Sequence, residues 1–331
     1  MAQEIVFTGQ GKVELLNFDA APLGETEVRG RSLFTLISPG TELAWLNNGT
    51  YPLRPGYAAI FVAEVFGSSV SGISKGDILL CMGQHRSVQQ IDYRFTLKVP
   101  FNLPPEIAVV ARLMGVSMTT LMTTSARPGD RVLVCGAGPV GYLAAHQFAI
   151  SGYRVTVIEP DPQRQLIMQR SGIVDVLSSV PLSDPEYDGK VALVVDCSGH
   201  EQAVLDGCKI VRKKGEIVLV GVPWKARTAI LAHELLNAVF FKFAVVRSGW
   251  EWEIPVRSRD FLWEELYEGY NNSAHSTLSG LQLALNWLAA GKVPVSGLIS
   301  RQRISNPQDI YDQLIVKNIQ EPFVVLDWAT S

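Results

Sequence analysis

A chain of 331 residues is long enough for two domains. Hydrophobic residues make up 47% of it and charged residues 18%, which supports sizeable cores and excludes a disordered chain. The net charge is −3 and no block of five or six like charges occurs, so neither a nucleic acid nor an anionic membrane is expected as a partner.

The opening MAQEIVFTGQGK has no basic stretch followed by an apolar run, so no secretory signal is expected there. The apolar run from Leu235 to Val246 is broken by Asn237 and Lys242. No eighteen-residue segment reads as a membrane span. Cys81, Cys135, Cys197 and Cys208 are scattered with no CxxC pair. Neither a disulfide framework nor a structural zinc site is expected, and a cytoplasmic location fits.

Residues 1–110 read as β-rich. Candidate strands are Glu4–Phe7, Val13–Asn17, Val28–Ile37, Ile60–Phe66 and Ile78–Met82, punctuated by Gly, Pro and Asn. Pro100, Pro104 and Pro105 mark a boundary. From residue 106 helical stretches alternate with short, wholly apolar strands. The strands are Arg131–Cys135, Arg154–Ile158, Val191–Asp196, Glu216–Val220 and Phe243–Arg247. The helices are Ile107–Ser125, Gly138–Ser151, Gln163–Ser171 and Glu201–Val211. Strands buried on both faces lose their alternation and, when helix-linked, pair in parallel, so the expected class is α/β with a doubly wound parallel sheet. Ser248–Asn272, rich in Trp and charge, has no clear assignment. Leu278–Ala290 reads as an amphipathic helix stopped by Gly291 and Pro294, and residues 295–331 as strand, helix and strand.

The strand at Arg131–Cys135 runs into Gly136-Ala-Gly138-Pro139-Val140-Gly141 and then an Ala-rich helix. In that setting Gly136 permits a tight turn, Gly138 lets the backbone approach a pyrophosphate, and Gly141 allows close helix–strand packing. The helix N-terminus offers free N–H groups to the phosphates. The next strand ends at Glu159, 18 residues after Gly141. An acid there accepts hydrogen bonds from both ribose hydroxyls and repels a 2′-phosphate, which favours NAD(H). Arg164 nearby leaves NADP(H) open.

Arg127-Pro-Gly-Asp-Arg-Val-Leu-Val-Cys-Gly-Ala-Gly-Pro-Val-Gly141, Val195-Asp-Cys-Ser-Gly199 and Lys214-Gly-Glu-Ile-Val-Leu-Val-Gly221 together resemble the medium-chain dehydrogenase/reductase superfamily. Pro55-Gly-Tyr-Ala-Ala stands where that family has a Gly-His-Glu turn, and Gly76-Asp77 matches its turn before a strand. The resemblance implies a GroES-like β-rich catalytic domain, 1–115 and 270–331, around an inserted Rossmann domain, 116–269. Nicotinamide and substrate would lie between them. Cys197, Ser198, Gly221 and Val222 would line the cofactor edge, and Thr120 would reach the nicotinamide.

The metal ligands of the family are replaced. Pro39 in Ser38-Pro39-Gly40-Thr41-Glu42 stands at the Cys position and Tyr57 at the His. The third ligand falls near Ala111 or Arg112. Catalytic zinc needs three protein ligands, so a metal-free site is expected. The wording is closest to a zinc-less branch that includes bacteriochlorophyllide dehydrogenase-like and bi-domain oxidoreductase-like proteins.

Without zinc, a side chain must polarise the reacting oxygen. Tyr57 is the first candidate, the alternative being that it fills the vacated space. Thr41 aligns with the family's proton-relaying hydroxyl, or caps a helix around Glu42–Asn47. Glu42 and His85 follow. His146, His200, His233 and His275 read as structural. Trp45, Trp250 and Trp252 line an apolar substrate pocket, or else are plain core or subunit-interface residues. The edge strand Phe243–Arg247 suggests a homodimer.

The leading reading is a zinc-independent, NAD(H)-dependent oxidoreductase acting on a small-molecule secondary alcohol or ketone. An NADPH enone or quinone reductase, an isomerase using NAD transiently, and a non-catalytic dinucleotide-binding protein are the alternatives.

Overall fold

The computed structural model describes residues 1–257 and 275–329. The chain divides into two compact units, Met1–Arg112 with Leu281–Ser331, and Leu113–Gly280. The expected limit at 269/270, and the part of Ser248–Asn272 beyond residue 257, lie outside the described residues.

In chain order the first unit contributes β1 (Ala2–Gly9), β2 (Lys12–Phe18), β3 (Glu27–Leu36), α1 (Pro39–Asn48), β4 (Ala59–Phe66), β5 (Ile78–Cys81), β6 (Val88–Asp92), β7 (Leu97–Lys98) and α2 (Pro105–Ala108). The second contains α3 (Ala111–Thr123, from its third residue), β8 (Arg131–Cys135), α4 (Pro139–Ile150), β9 (Arg154–Ile158), α5 (Pro162–Arg170), β10 (Val176–Leu177), β11 (Val191–Asp196), α6 (Glu201–Ile210), β12 (Val211–Leu219), α7 (Ala232–Lys242) and β13 (Val245–Ser248). α8 (Thr277–Ala289) leads back to the first unit, which ends with β14 (Ile299–Arg303), α9 (Pro307–Ile315) and β15 (Phe323–Asp327).

The first unit is built on a seven-stranded sheet of order β14-β15-β3-β4-β5-β7, with β6 on β3, and a separate β1–β2 hairpin. All its pairings are antiparallel except β14–β15. The hairpin, α1, α9 and β15 enclose one core around Phe7, Leu46, Tyr311 and Leu326. Gln308 on α9 joins that core to the hairpin, accepting from Val13 N–H at 2.8 Å and donating to the Gly11 carbonyl at 3.1 Å.

The second unit holds a six-stranded sheet, all parallel, in the order β10-β9-β8-β11-β12-β13. Every residue of β11 is buried, as expected for a strand covered on both faces. The sheet changes direction beside β8, the switch point at which doubly wound folds bind ligands.

Three local expectations differ from the structure. The edge strand expected at Phe243–Arg247 runs from Val245 to Ser248, because Phe243, with a left-handed φ of 51°, is the C-cap of α7. The strand expected at Glu216 begins earlier, at Val211. Among the described residues one stretch, Pro105–Thr123, is long and apolar enough to cross a membrane by hydropathy. Yet 67% of its most apolar window is buried inside the protein, which accounts for the apolarity.

Candidate functional site

The phosphate turn is shaped by backbone sterics. Gly136, just after β8, has φ 93°, which residues with a Cβ rarely adopt. A Cβ on Gly141 would stand 1.8 Å from the Gly136 carbonyl oxygen, so only glycine lets α4 start this close to the strand. Gly138 is the N-cap of α4 and Pro139 its first residue, the position where a missing N–H costs nothing. A Cβ on Gly138 would meet nothing within 4 Å, so this side of the turn is open. The N–H groups of Val140 and Gly141, in the first turn of α4, have no partner within the helix.

Neighbouring turns brace this one. The buried Asp196, at the end of β11, accepts from Ser198 N–H (3.0 Å), Ser198 Oγ (2.6 Å) and Gly199 N–H (3.2 Å). Its own carbonyl accepts from Val220 and Gly221 N–H. Burial raises the Asp196 carboxyl, and the hydrogen bonds from Ser198 and Gly199 oppose that. A Cβ on Gly221 would lie 2.6 Å from Gly199 N, so these two loops touch by their backbones. Cys197 lies between them with its thiol pushed well up by burial, so it is not a thiolate nucleophile. Val222 is exposed beyond Gly221. Asp196 was visible in the Asp-Cys-Ser-Gly motif, but its bracing role was not.

Glu159 follows β9 directly and is 4% exposed. Its Oε2 accepts from Ala137 N–H at 2.7 Å and its Oε1 from Asp161 N–H at 3.0 Å. Arg164 approaches the same carboxylate at 3.9 Å, with its side chain half exposed. Thr120, on α3, is fully buried and its Oγ1 has no hydrogen-bond partner among the described residues. The open turn, the free helix N–H groups and this orphaned hydroxyl fit a dinucleotide.

In the other unit, α1 gathers the expected catalytic residues. Ser38 is its N-cap and Pro39 its first residue, so the cap lies three residues before Thr41. The cap expected at Thr41 is therefore corrected: Thr41 sits in the first turn. Glu42 turns back and accepts Ser38 N–H at 2.8 Å.

Tyr57 is half-buried with its ring edge-on to Trp45, centroids 6.2 Å apart. The buried Arg112 places its guanidinium 4.8 Å from the Tyr57 ring centre and donates from Nε to the Tyr57 carbonyl at 3.1 Å. Burial raises the Tyr57 phenol above its usual value. Hydrogen bonding with Ser38 opposes that, the Glu42 charge adds to it, and Arg112 and Thr41 oppose it. The phenol is thus protonated at neutral pH and available as a donor.

Glu42 and His85 are fully buried. His85 Nε2 lies 3.0 Å from Glu42 Oε2, and its Nδ1 lies 2.8 Å from Thr35 Oγ1. Trp328 Nε1–H donates to Thr35 Oγ1 at 2.9 Å, and Tyr311 O–H to Glu42 Oε2 at 2.5 Å. The donors are all satisfied if Thr35 O–H donates to Nδ1 and Nε2–H to the carboxylate. Buried this way, Glu42 and His85 act as a brace behind α1, without surface to meet a substrate.

The positions assigned to metal ligands carry Pro39, Tyr57 and, for the third, Ala111 or Arg112. None is a zinc ligand, and a buried guanidinium beside them disfavours a dication. The remaining histidines serve locally. His146 bonds Ser171 Oγ at 2.9 Å and His200 caps α6. His233 and His275 are exposed. Trp250 and Trp252 are also exposed.

Residues 103–248 match the family model described as glucose dehydrogenase C-terminus. The chain is similar to L-threonine 3-dehydrogenase of Bacillus velezensis, 24% identical over 50% of this chain and 48% of that one. It is similar to an alcohol dehydrogenase of Geobacillus stearothermophilus, 22% identical over 82% of each. The first four relatives are matched over only 37–48% of their length. Galactitol-1-phosphate dehydrogenase from Escherichia coli has the same two-part fold, with a TM-score of 0.80 at 16% identity over 98% of this chain and 99% of that one. The β-rich sheet is thus the GroES-like part and the parallel sheet the Rossmann part. By fold along its length, and by sequence across residues 103–248, the chain is similar to medium-chain dehydrogenases/reductases.

Proposed function

We propose that the protein is an NAD(P)(H)-dependent oxidoreductase that moves a hydride between the nicotinamide and a secondary alcohol or ketone without zinc. The carrying observation is the glycine turn, where Gly141 lies so close to the Gly136 carbonyl that no side chain fits. The turn and the first N–H groups of α4 hold the pyrophosphate. Bound nicotinamide supplies or accepts the hydride.

Tyr57 Oη donates a hydrogen bond to the substrate oxygen and passes it a proton when a ketone is reduced. Its raised phenol supports a donor rather than a base. Arg112, stacked on the ring, offsets the charge left on the phenolate. Ser38 and Thr41 oppose the rise of the phenol, and the Glu42–His85 brace fixes the helix that carries Thr41. The chemistry of Pro39, Tyr57 and Ala111 or Arg112 at those positions supports a metal-free reaction.

A cytoplasmic location is supported by four unbridged cysteines. A homodimer through β13 is supported by its place at the sheet edge, beside exposed Phe240, Phe241, Phe243 and Trp250.

The test is a fluorescence titration with NADH and NADPH, followed by a panel of secondary alcohols and ketones with and without a chelator. Saturable binding and chelator-resistant turnover are expected. Absence of binding to either nucleotide at millimolar levels refutes the cofactor reading. Stoichiometric zinc required for turnover refutes the metal-free one.

A further inference from the structure

The glycines that shape the phosphate turn lean on one short segment from the neighbouring strand end. A Cβ on Gly136 would stand 3.3 Å from Ser198 Cβ and 3.4 Å from Ser198 Cα, and one on Gly141 would stand 3.3 Å from Cys197 Cβ. Cys197 N–H donates to the Cys135 carbonyl at 2.9 Å, at the end of β8. Cys197 and Ser198 are therefore the wall behind the turn. No helix or strand holds that wall. It follows β11 and ends at His200, the N-cap of α6.

Its shape rests on Asp196, the last residue of β11, which is 1% exposed. Oδ1 accepts from Ser198 N–H and Ser198 Oγ, and Oδ2 from Gly199 N–H. Ser198 Oγ in turn accepts from His200 N–H at 3.2 Å. One carboxylate thus gathers the donors of two successive residues and sets the path of the segment between strand and helix.

We propose that ionised Asp196 is a positioning residue for the dinucleotide, fixing Cys197 and Ser198 against Gly136 and Gly141 so that the turn keeps its phosphate-binding shape. This rests on the cofactor reading above and deepens it, because cofactor affinity then follows the charge of a side chain behind the turn. A proton on the carboxyl places a donor among the Ser198 and Gly199 donors, and at least one of them loses its acceptor. A buried donor without an acceptor drives its segment to rearrange, and the wall leaves the glycines. Burial raises the Asp196 carboxyl above its ordinary value, with the Ser198 and Gly199 hydrogen bonds opposing. The titratable groups facing it are His200 and the thiols of Cys135 and Cys197, which burial keeps protonated.

The test is NAD⁺ binding by calorimetry on wild type and Asp196→Asn, from about pH 8 down to about pH 5. The asparagine keeps the size but turns an amide donor toward the Ser198 and Gly199 donors. At the upper end the variant is expected to bind roughly ten- to hundredfold more weakly, the loss of one charge-assisted hydrogen bond. As the pH falls, the wild type loses affinity and the gap closes, because its own carboxyl takes up a proton. His200 is present in both proteins, so the change in the gap belongs to residue 196. Equal affinities at the upper end overturn the proposal. So does a gap that stays constant, since a merely structural carboxyl leaves the two curves parallel.

Where the variant does not fold, amide exchange on the wild type decides between the outcomes. Protection factors at Ser198 and Gly199 that drop together with NAD⁺ affinity on acidification support the strut, and any other pattern refutes it. A wild type that binds no dinucleotide sinks the cofactor reading, and loss of this protection in acid still tests the strut by itself.

Discussion

Gly141→Ala is the sharpest test of the phosphate turn. The new Cβ would sit 1.8 Å from the Gly136 carbonyl oxygen and 2.9 Å from its carbon. Atoms of this kind pack no closer than about 3 Å, so turn and helix must part by roughly 1 Å. Overpacking of this size costs about 1–3 kcal/mol in stability. The effect on binding is larger in consequence. A displacement of about 1 Å carries a hydrogen bond of about 2.9 Å beyond its useful range. Losing one charge-assisted bond to phosphate, about 1.5–3 kcal/mol, weakens binding roughly ten- to hundredfold. NADH titration and a thermal melt on the same sample give both quantities. Gly138→Ala is the control. Its Cβ meets nothing within 4 Å and its φ is −66°, so stability should stay within about 0.5 kcal/mol of wild type. Wild-type NADH affinity and an unchanged melt for Gly141→Ala would falsify the steric argument.

Other outcomes follow from buried groups. His146 is 5% exposed, and burial lowers its imidazole from 6.5 to about 4. Between those values the unfolded chain binds a proton that the native state refuses, so stability falls as pH drops through that window, by up to about 3 kcal/mol. His146→Gln should remove close to one proton from the slope of denaturant stability against pH; parallel curves for variant and wild type would count against it. Tyr311→Phe removes the O–H donor to the buried Glu42 carboxylate and should cost about 1.5–3 kcal/mol in a urea titration, with a loss below about 0.5 contradicting the brace. Phe240, 71% exposed on α7, belongs to the apolar face beside β13. Phe240→Glu should convert a sedimenting dimer to monomer, and a wild type that is already monomeric refutes that interface.

The parts legible in the sequence were those written locally. Gly136, Gly138 and Gly141 lie within six residues, between an apolar strand and an Ala-rich helix, so turn, strand and helix could be read together. The same holds for the parallel strands, whose unbroken apolar runs reflect burial on both faces. The small discrepancies arose where local pattern and backbone conformation part company. Phe243 looks like a strand residue, but its left-handed φ makes it the end of a helix.

What only the tertiary structure decided was which polar groups meet. Glu42 bonds a tyrosine 269 positions away, and Arg112 reaches Tyr57 across 55. No periodicity carries such pairings, because chain folding and not spacing brings the partners together. Glu159 shows the same limit within a short distance. Its place after β9 points to a ribose ligand, but only the fold shows that the same carboxylate also accepts Ala137 N–H. Sequence fixes the residue types available at a turn. The desolvation of each group, and the donor facing it, depend on neighbours from other segments, and these settle its role.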